Sequence, residues 1–383
     1  MLLIVIFLLF IGNGLPNSLL GAAWTAISAS TGAPLNAAGT ISMVMMAGPI
    51  ISNLFIAKWL RRFPTERLAL FGVALSISAI AGFGMAKSAV WLYILAVPLG
   101  FGMGILDAAI SLYVAARYGA RQINWLNCSW GVGAMTGPVI MSFMLKGGRW
   151  QTGYFIIAAL QLVIAVIFAF STPLWRKVAK AEAQSEAAKP EGQPLKDFAK
   201  MPVFKSVIAC IMLYFGVELG FGLWGGSYLT IARGMDAAQS AMLVSAFYAA
   251  ITIGRFASGV LTAVISSKNM IRIGMAGMIA GLFLLYLPGI GMAGFIVYGL
   301  GCAPVFPCTL HEMKVRFGEA DAAAHLGVVL GISRLGLAVF PEIIGKAATG
   351  VGFSIFLPML LGLCFIMFAL SELSNKLAVG KTK

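Results

Sequence analysis

Long apolar runs separated by short polar segments define the pattern of this chain. Twelve runs are about 20 residues long, the length that a helix needs to cross a bilayer. Only one polar stretch is long, since residues 176–205 hold seven basic and four acidic side chains, with prolines at 190 and 194 among them. The pattern predicts an all-α membrane protein whose twelve transmembrane helices cover residues 2–24, 38–57, 68–86, 90–114, 123–145, 152–173, 204–229, 238–263, 271–287, 291–311, 325–345 and 353–374.

The composition favours membrane helices over other classes. Hydrophobic residues make up 60% of the chain, charged residues make up 10%, and the mean hydropathy is +0.94. A soluble domain is about a quarter charged, and the strands of a β-barrel alternate in hydrophobicity over short segments. Because the first ten residues include no basic residue, we expect them to start the first span and not a removed signal peptide.

Basic residues are distributed unevenly between the predicted loops. With both termini cytoplasmic, the inner loops hold twenty lysines and arginines and the outer loops hold five, which is the bias that sets membrane orientation. This bias explains the formal net charge of +14 without a nucleic-acid partner. We expect a multi-pass protein of a bacterial inner membrane, with residues 174–203 as a cytoplasmic linker between residues 1–173 and 204–383.

The two halves of the chain repeat weakly, in the same order. An offset of 203 residues places Gly133 on Gly336, and an offset of 199 places Gly100 on Gly299. Offsets this similar indicate parallel repeats about an axis normal to the membrane. We therefore expect two six-helix bundles that are related by a pseudo-two-fold axis.

Six motifs make the chain resemble the major facilitator superfamily over nearly its whole length, and more narrowly its fucose:proton symporter-like branch. They are LPNSLLGAAW (15–24), GFGMGILDAAI (100–110), INWLNCSWGVGA (123–134), GVELGFGLW (216–224), AITIGRFASG (250–259) and GLGCAPVFP (299–307). The resemblance implies the major facilitator fold, a substrate site at mid-membrane lined by helices 1, 4, 7 and 10, and alternating access by rocking of the halves.

Two departures from the resemblance bear on mechanism. The loop AKWLRRFPTERL (57–68) lacks the aspartate of the superfamily's usual Gly…Asp-Arg-x-Gly-Arg pattern, which predicts a weaker or rebuilt inner gate. Sugar–proton members often carry an aspartate on helix 1 where this chain has Asn17. Because an amide cannot titrate, we expect no proton site there.

Polar side chains within the first half are candidates for binding and coupling. Asn13 and Asn17 share one helix face, and an amide at that depth needs a partner or a wet cavity. Asp107 matches, by the resemblance, an acid that some sugar–proton symporters use for coupling. The resemblance also places Asn127 and Trp130 near the substrate. The small residues at 131–138 predict close approach of helices 5 and 8.

Ionisable and aromatic side chains within the second half are further candidates. Glu218 is a candidate for both substrate and proton binding, and Trp224 is either a substrate-stacking ring or an anchor at the lipid interface. Arg255 is expected in a structural or gating ion pair. Arg334 either pairs with a carboxylate such as Glu218 or Glu342, or meets an anionic substrate. Glu342 is either paired or exposed to water near a helix end.

The leading hypothesis is a secondary transporter of a sugar or sugar derivative, either proton-linked, as a symporter, or facilitative. The alternative is a proton-driven exporter of drugs or metabolites, and a membrane enzyme is the least supported class. The partners are a small-molecule substrate, protons and the lipid bilayer, and we expect a monomer. The five cysteines lie in apolar stretches without metal-ligand spacing, so we expect no metal and no cofactor.

Overall fold

The computed structural model describes residues 2–118, 120–181, 200–287 and 291–379, and these residues form helices joined by short turns. The helices are α1 (Leu2–Gly14), α2 (Leu19–Thr31), α3 (Ala37–Leu60), α4 (Thr65–Met85), α5 (Ala89–Arg117), α6 (Ala120–Lys146), α7 (Trp150–Ala181), α8 (Pro202–Ala232), α9 (Ala237–Leu261), α10 (Ser267–Leu284), α11 (Gly291–Phe317), α12 (Glu319–Ser333), α13 (Leu335–Val351) and α14 (Phe356–Val379), with a 3-10 turn at Phe353–Ile355.

Eleven segments in the described part of the chain are long and apolar enough to cross a membrane, which confirms the prediction of a helical membrane protein. Two of them each combine consecutive helices, α1 with α2 and α12 with α13. The predicted ninth span corresponds to α10, which is not among the eleven. Lys268, Asn269 and Arg272 lie within the first two turns of α10 and lower its hydropathy.

The predicted linker is partly helical. Helix α7 continues to Ala181, eight residues beyond the predicted end of the sixth span. Residues 174–181 read LWRKVAKA, and leucine, arginine, lysine and alanine are strong helix formers. The next part of the predicted linker, residues 182–199, lies outside the described residues, and α8 begins at Pro202.

Equivalent glycines allow equivalent helix crossings in the two repeats. A Cβ at Gly133 on α6 would overlap the carbonyl oxygen of Ile11 on α1, and a Cβ at Gly336 on α13 would overlap that of Met212 on α8. Gly133 and Gly336 are the pair that the offset of 203 predicts. The offset between their partners is 201, so the repeat extends to the helices on which they pack.

The pairing of α4 with α5 is repeated by the pairing of α10 with α11. A Cβ on either Gly72 or Gly102 would press on the carbonyl oxygen of the other, and the same holds for Gly274 and Gly301. Gly102 and Gly301 are related by the predicted offset of 199. Backbone contact at the same crossing in both repeats therefore requires glycine.

A third pair of crossings places α3 beside α5 and α9 beside α11. A Cβ at Gly104 would press on the backbone of Pro49, and a Cβ at Gly254 would press on Ala303. Gly104 and Ala303 are again related by the offset of 199. Pro49 and Gly254 therefore occupy equivalent positions.

Packing divides the chain into two compact units. These units are Met1–Glu186 with Gly222–Tyr248, and Ala187–Phe221 with Ala249–Lys383. Residues 222–248, which form the end of α8 and the start of α9, group with the first unit because they pack on its helices. For example, a Cβ at Gly21 on α2 would press on the backbone of Leu223.

The last turns of α5 and α11 hold different interactions at equivalent positions. In the first unit, the rings of Tyr113 and Trp175 have centroids 4.4 Å apart, and the guanidinium of Arg117 lies 4.0 Å from the centre of the Tyr113 ring. The offset of 199 places Tyr113 and Arg117 on Glu312 and Arg316. These two form an ion pair in the second unit, with Nε and Oε2 3.6 Å apart.

A second ion pair joins α10 to α14 at the same end of the second unit. Arg272 donates from Nε and Nη2 to the two carboxylate oxygens of Glu372, at 2.7 and 2.6 Å. Asn375 donates to Glu372 at 3.2 Å and accepts from Arg316 at 2.7 Å. The two ion pairs are therefore linked in one network, whereas the equivalent end of the first unit rests on aromatic packing.

Candidate functional site

The first membrane segment is broken in the middle. Helix α1 ends at Gly14 and α2 begins at Leu19, because Pro16 has no N–H to donate to the carbonyl of Gly12. Gln161 on α7 replaces that donor, with its Nε2 2.6 Å from the Gly12 oxygen. Gln161 is buried, so the carbonyl of Gly12 has a protein donor in place of the missing N–H.

A small cavity lies beside this hydrogen bond in the first unit. It has a volume of about 10 Å³ and is lined by apolar side chains together with Gly12, Ser76 and Gln161. Ser76 Oγ lies 3.4 Å from Gln161 Oε1. The cavity has the size of a single water molecule, so it is too small for a transported solute.

Helix α6 also contacts the turn between α1 and α2. Ser18 Oγ donates to the carbonyl of Ala134 at 2.6 Å. The same stretch of α6 also meets α9, because Ser245 Oγ donates to the carbonyl of Met135 at 2.6 Å. The predicted approach of helices 5 and 8 through residues 131–138 is confirmed, and the same surface serves the first membrane segment.

The two asparagines at the break differ in their surroundings. Asn13 is buried on α1. Asn17 lies in the turn between α1 and α2, and its Oδ1 is buried with no hydrogen-bond donor among the described residues. An amide oxygen that is buried without a donor is costly, and the role of Asn17 toward a substrate stays a prediction.

Three other predicted site residues of the first unit lie on α5 and α6. Asp107 is half-buried on α5. Asn127 is exposed, and its Nδ2 donates to the carbonyl of Ile123 in its own helix at 3.0 Å. Trp130 is half-buried and packs against the apolar cluster of α1, α5 and α6. Their roles toward a substrate stay predictions.

A charged pair lies within the membrane segments of the second unit. Arg255 on α9 donates from Nη2 to Oε1 of Glu218 on α8, at 3.1 Å, and the two side chains are 17% and 11% exposed. The expected ion pair of Arg255 is thus present. Its partner is one of the two carboxylates that the sequence had suggested for Arg334.

Aromatic side chains surround this charged pair. Tyr214 lies one turn before Glu218 on α8, and its hydroxyl donates to the carbonyl of Cys302 on α11 at 3.0 Å. The ring of Phe306 stacks on Tyr214 and lies 5.0 Å from the ring of Phe215. Phe215 and Phe306 were not predicted to lie here, although Phe215 precedes Glu218 by three residues and so shares its helix face.

The glycines beside Glu218 lie in contact with another helix, α13. A Cβ at Gly216 would press on the ring of Phe340, and a Cβ at Gly220 would press on the side chain of Ile344. Both partners lie on α13. These two glycines therefore allow close packing of α8 on α13.

Trp224 is fully buried in the first unit. A tryptophan that anchors a helix at the lipid interface keeps one side exposed to lipid and water. The interface-anchor hypothesis for Trp224 is therefore wrong.

Two further predicted residues lie on α12 and α13. Arg334 stands at the break between these helices, where Ser333 Oγ donates to the carbonyl of Ile208 at 3.3 Å. Glu342 is buried and pairs with Lys346 one turn later, with Nζ and Oε1 3.1 Å apart. The alternative that Glu342 is water-exposed is therefore wrong.

Comparison with known proteins identifies the family and several relatives. The family model described as Major Facilitator Superfamily matches residues 2–341. The TsgA homolog of Serratia proteamaculans is 29% identical over 58% of this chain and 55% of its own length, so the match spans about half of that relative.

Two other relatives carry names that state what they transport. The glucose/mannose transporter GlcP of Bacillus subtilis is 25% identical, over 69% of this chain and 67% of its own. The cis,cis-muconate transport protein of Acinetobacter baylyi is 22% identical, over 90% of this chain and 86% of its own.

Solved structures agree on the fold. A bacterial homolog of the human lysosomal transporter Spinster superposes with a TM-score of 0.78 at 14% identity, covering 99% of this chain and 97% of its own. A D-xylose-proton symporter superposes with a TM-score of 0.75 at 13% identity, covering 96% of each chain.

Proposed function

Because the chain belongs to the Major Facilitator Superfamily, we propose that it is a secondary active transporter that moves a sugar or sugar derivative by alternating access, together with protons. Support for the sugar class comes from a relative named as a glucose/mannose transporter and from a fold neighbour named as a D-xylose-proton symporter. The relative named for cis,cis-muconate transport is the reason to include acidic solutes in any substrate test.

The observation that carries the proposal is the buried ion pair of Glu218 and Arg255. Each ionised side chain at the centre of a membrane helix costs about 2.5–3.5 kcal/mol on insertion scales. Such residues mark substrate and ion pathways. Glu218 is accordingly proposed to bind protons and substrate, and Arg255 to control its charge.

The other predicted residues receive roles in the same proposal. Asp107 is a second proton-coupling acid, and Glu342 is a member of a structural or gating ion pair. The substrate-binding residues are, besides Glu218, Asn13, Asn17, Asn127, Trp130, Trp224 and Arg334. The buried oxygen of Asn17 supports its place among them.

The proposed membrane arrangement has twelve helices, with α10 as the ninth. The two six-helix bundles comprise residues 1–173 and 204–383, and both termini and the linker at 174–203 face the cytoplasm. The distribution of basic residues supports this orientation, and the bacterial relatives support a place in the inner membrane.

Substrate-induced alkalinisation of lightly buffered proteoliposome suspensions tests the function. The panel comprises neutral sugars, amino sugars and sugar acids. Alkalinisation with one class establishes proton symport of that class. Silence in this assay with intact exchange of a labelled solute indicates an uncoupled facilitator, and silence in both assays favours the proton-driven exporter.

A further inference from the structure

Resting on the transport function proposed above, we infer that the solute carries a carboxylate that binds Arg255 in place of Glu218. The displaced Glu218 takes up the cotransported proton. One solute carboxylate and one proton then cross together, so a monovalent acid moves without net charge. On the far side the acid leaves, Glu218 releases the proton, and its ion pair with Arg255 forms again.

The ion pair uses only part of the binding capacity of Arg255. Nε and Nη2 of a guanidinium form a side-on fork that matches the two oxygens of one carboxylate. Here Nη2 bonds one oxygen of Glu218 at 3.1 Å, while Nε is buried without an acceptor among the described residues. A buried donor without an acceptor is costly. A solute carboxylate that fills both positions therefore replaces a one-bond partner with a two-bond partner.

The contrast with Arg272 in the same unit shows what a fully engaged pair looks like. Arg272 bonds Glu372 through both Nε and Nη2, at 2.7 and 2.6 Å. That pair leaves no side-on donor for a ligand. The Glu218–Arg255 pair is the half-engaged one of the two, and it lies within the membrane segments.

The surroundings of Glu218 favour proton uptake once its partner is taken. Among the described residues, the groups that interact with it electrostatically include Tyr214 on α8, Arg255 on α9, and Tyr298 and Cys302 on α11. Of these, Arg255 alone carries a positive charge. A carboxylate buried without a countercharge is strongly disfavoured, and protonation removes that cost. Binding of the acid and binding of the proton are thus coupled through one guanidinium.

The aromatic side chains constrain the rest of the solute. Phe215 and Phe306 are half-buried, with ring centroids 5.0 Å apart, and Phe215 lies one turn from Glu218. Ring faces beside a carboxylate-binding arginine suit a solute whose acid group is attached to a sugar ring. Sugar acids are therefore the class that fits.

The test uses matched solutes that differ only in the acid group, D-glucose with D-glucuronate and D-galactose with D-galacturonate. In proteoliposomes, we expect the acids to cause alkalinisation and to accumulate on a pH gradient. An imposed membrane potential should leave their uptake unchanged. Potential-driven uptake of the neutral sugars without any response to the acids overturns the inference and leaves the proposed function intact. No transport or exchange of any of the four overturns both.

Variants of the pair test the exchange of partners. Because glutamine cannot take up a proton, we expect Glu218→Gln to lose acid accumulation on a pH gradient. Arg255→Gln, tested alone and together with Glu218→Gln, should lower acid affinity about 10- to 100-fold. The double variant carries no buried unpaired charge and so controls for misfolding. Glu372→Gln makes the same chemical change in the other pair and should stay coupled. Acid accumulation that survives in Glu218→Gln overturns the inference.

Discussion

The first membrane segment and α8 occupy equivalent places in the two repeats, but the polar side chains at their centres have different hydrogen-bond partners. The offset of 201 that relates Ile11 to Met212 places Asn17 on Glu218. Asn17 presents a buried oxygen with no donor among the described residues, whereas Glu218 is held by Arg255. The helix crossings are repeated but the chemistry is not, so backbone packing constrains the glycines and leaves the side chains beside them free to diverge.

The partner of Glu218 has no charged counterpart in the first repeat. Arg255 follows Gly254, and the equivalent residue after Pro49 is Ile50. Conversely, an acid of the first repeat has an uncharged counterpart in the second, because the offset of 199 places Asp107 on α5 at the position of Phe306 on α11. Each repeat thus has one acid near its centre, at positions that are not equivalent.

The largest effect that separates the two repeats should follow removal of Glu218. Glu218→Leu leaves Arg255 buried without its countercharge, which costs about 3–5 kcal/mol of folding free energy. Thermal unfolding in detergent should show a large loss, with recovery in the double variant with Arg255→Leu.

Asn17→Leu is the matched change in the first repeat. Its amide oxygen has no protein donor to lose, so we expect stability to change by less than about 1 kcal/mol. A loss as large as that of Glu218→Leu would show that the contrast between the two repeats is false.

Alanine at the repeated glycines should be the next largest change. Gly133→Ala and Gly336→Ala each push a methyl group into a carbonyl oxygen of the neighbouring helix, and overpacking of this kind typically costs about 1–3 kcal/mol. Gly362→Ala on α14 meets open space and should gain up to about 1 kcal/mol from helix propensity. Equal melting temperatures for Gly133→Ala, Gly336→Ala and Gly362→Ala would contradict the close helix contact at the repeated crossing.

Gln161→Leu should cost about 1–3 kcal/mol, because the carbonyl of Gly12 then lacks a donor. Pro16→Ala restores a backbone N–H beneath that carbonyl. In a double-mutant cycle, we therefore expect the variant with both changes to be more stable than the sum of the two single effects predicts. Simple additivity would mean that Gln161 does not serve the proline break.

The smallest effect should distinguish the charged end of the second unit from the aromatic end of the first. Glu372→Gln weakens an ion pair whose arginine is 42% exposed, so the loss should be under about 1 kcal/mol and should shrink further in high salt. Tyr113→Leu changes ring packing, so its loss should not depend on salt. Salt dependence in both variants would remove the distinction.

Sequence patterns predicted those features of the fold that arise locally. Apolar runs predicted the spans, of which eleven are confirmed in the described part of the chain, and glycine spacing predicted the repeat offsets. The helical continuation of α7 over residues 174–181 was not predicted, because polar side chains at a helix end do not prevent a helix that propensity supports.

The partners within the candidate site could not be predicted, because they join residues far apart in the chain. Glu218 and Arg255 are separated by 37 residues, and any of several arginines was compatible with the sequence. Gln161 could have been recognised from the sequence, because an amide within the apolar run AALQLVIAVI needs a hydrogen-bond partner as much as Asn13 does. Its partner, a carbonyl freed by a proline, becomes evident only from the packing of α1 on α7.

The bond between Gln161 and the carbonyl of Gly12 has a consequence for biogenesis. The two residues are 149 positions apart, and a ribosome that adds about 5–20 residues per second produces Gln161 about 7–30 s after Gly12. During that interval Gln161 is not yet present to donate to the carbonyl of Gly12. We therefore expect the hydrogen bonding of the first segment to be completed only after α7 has entered the membrane beside it.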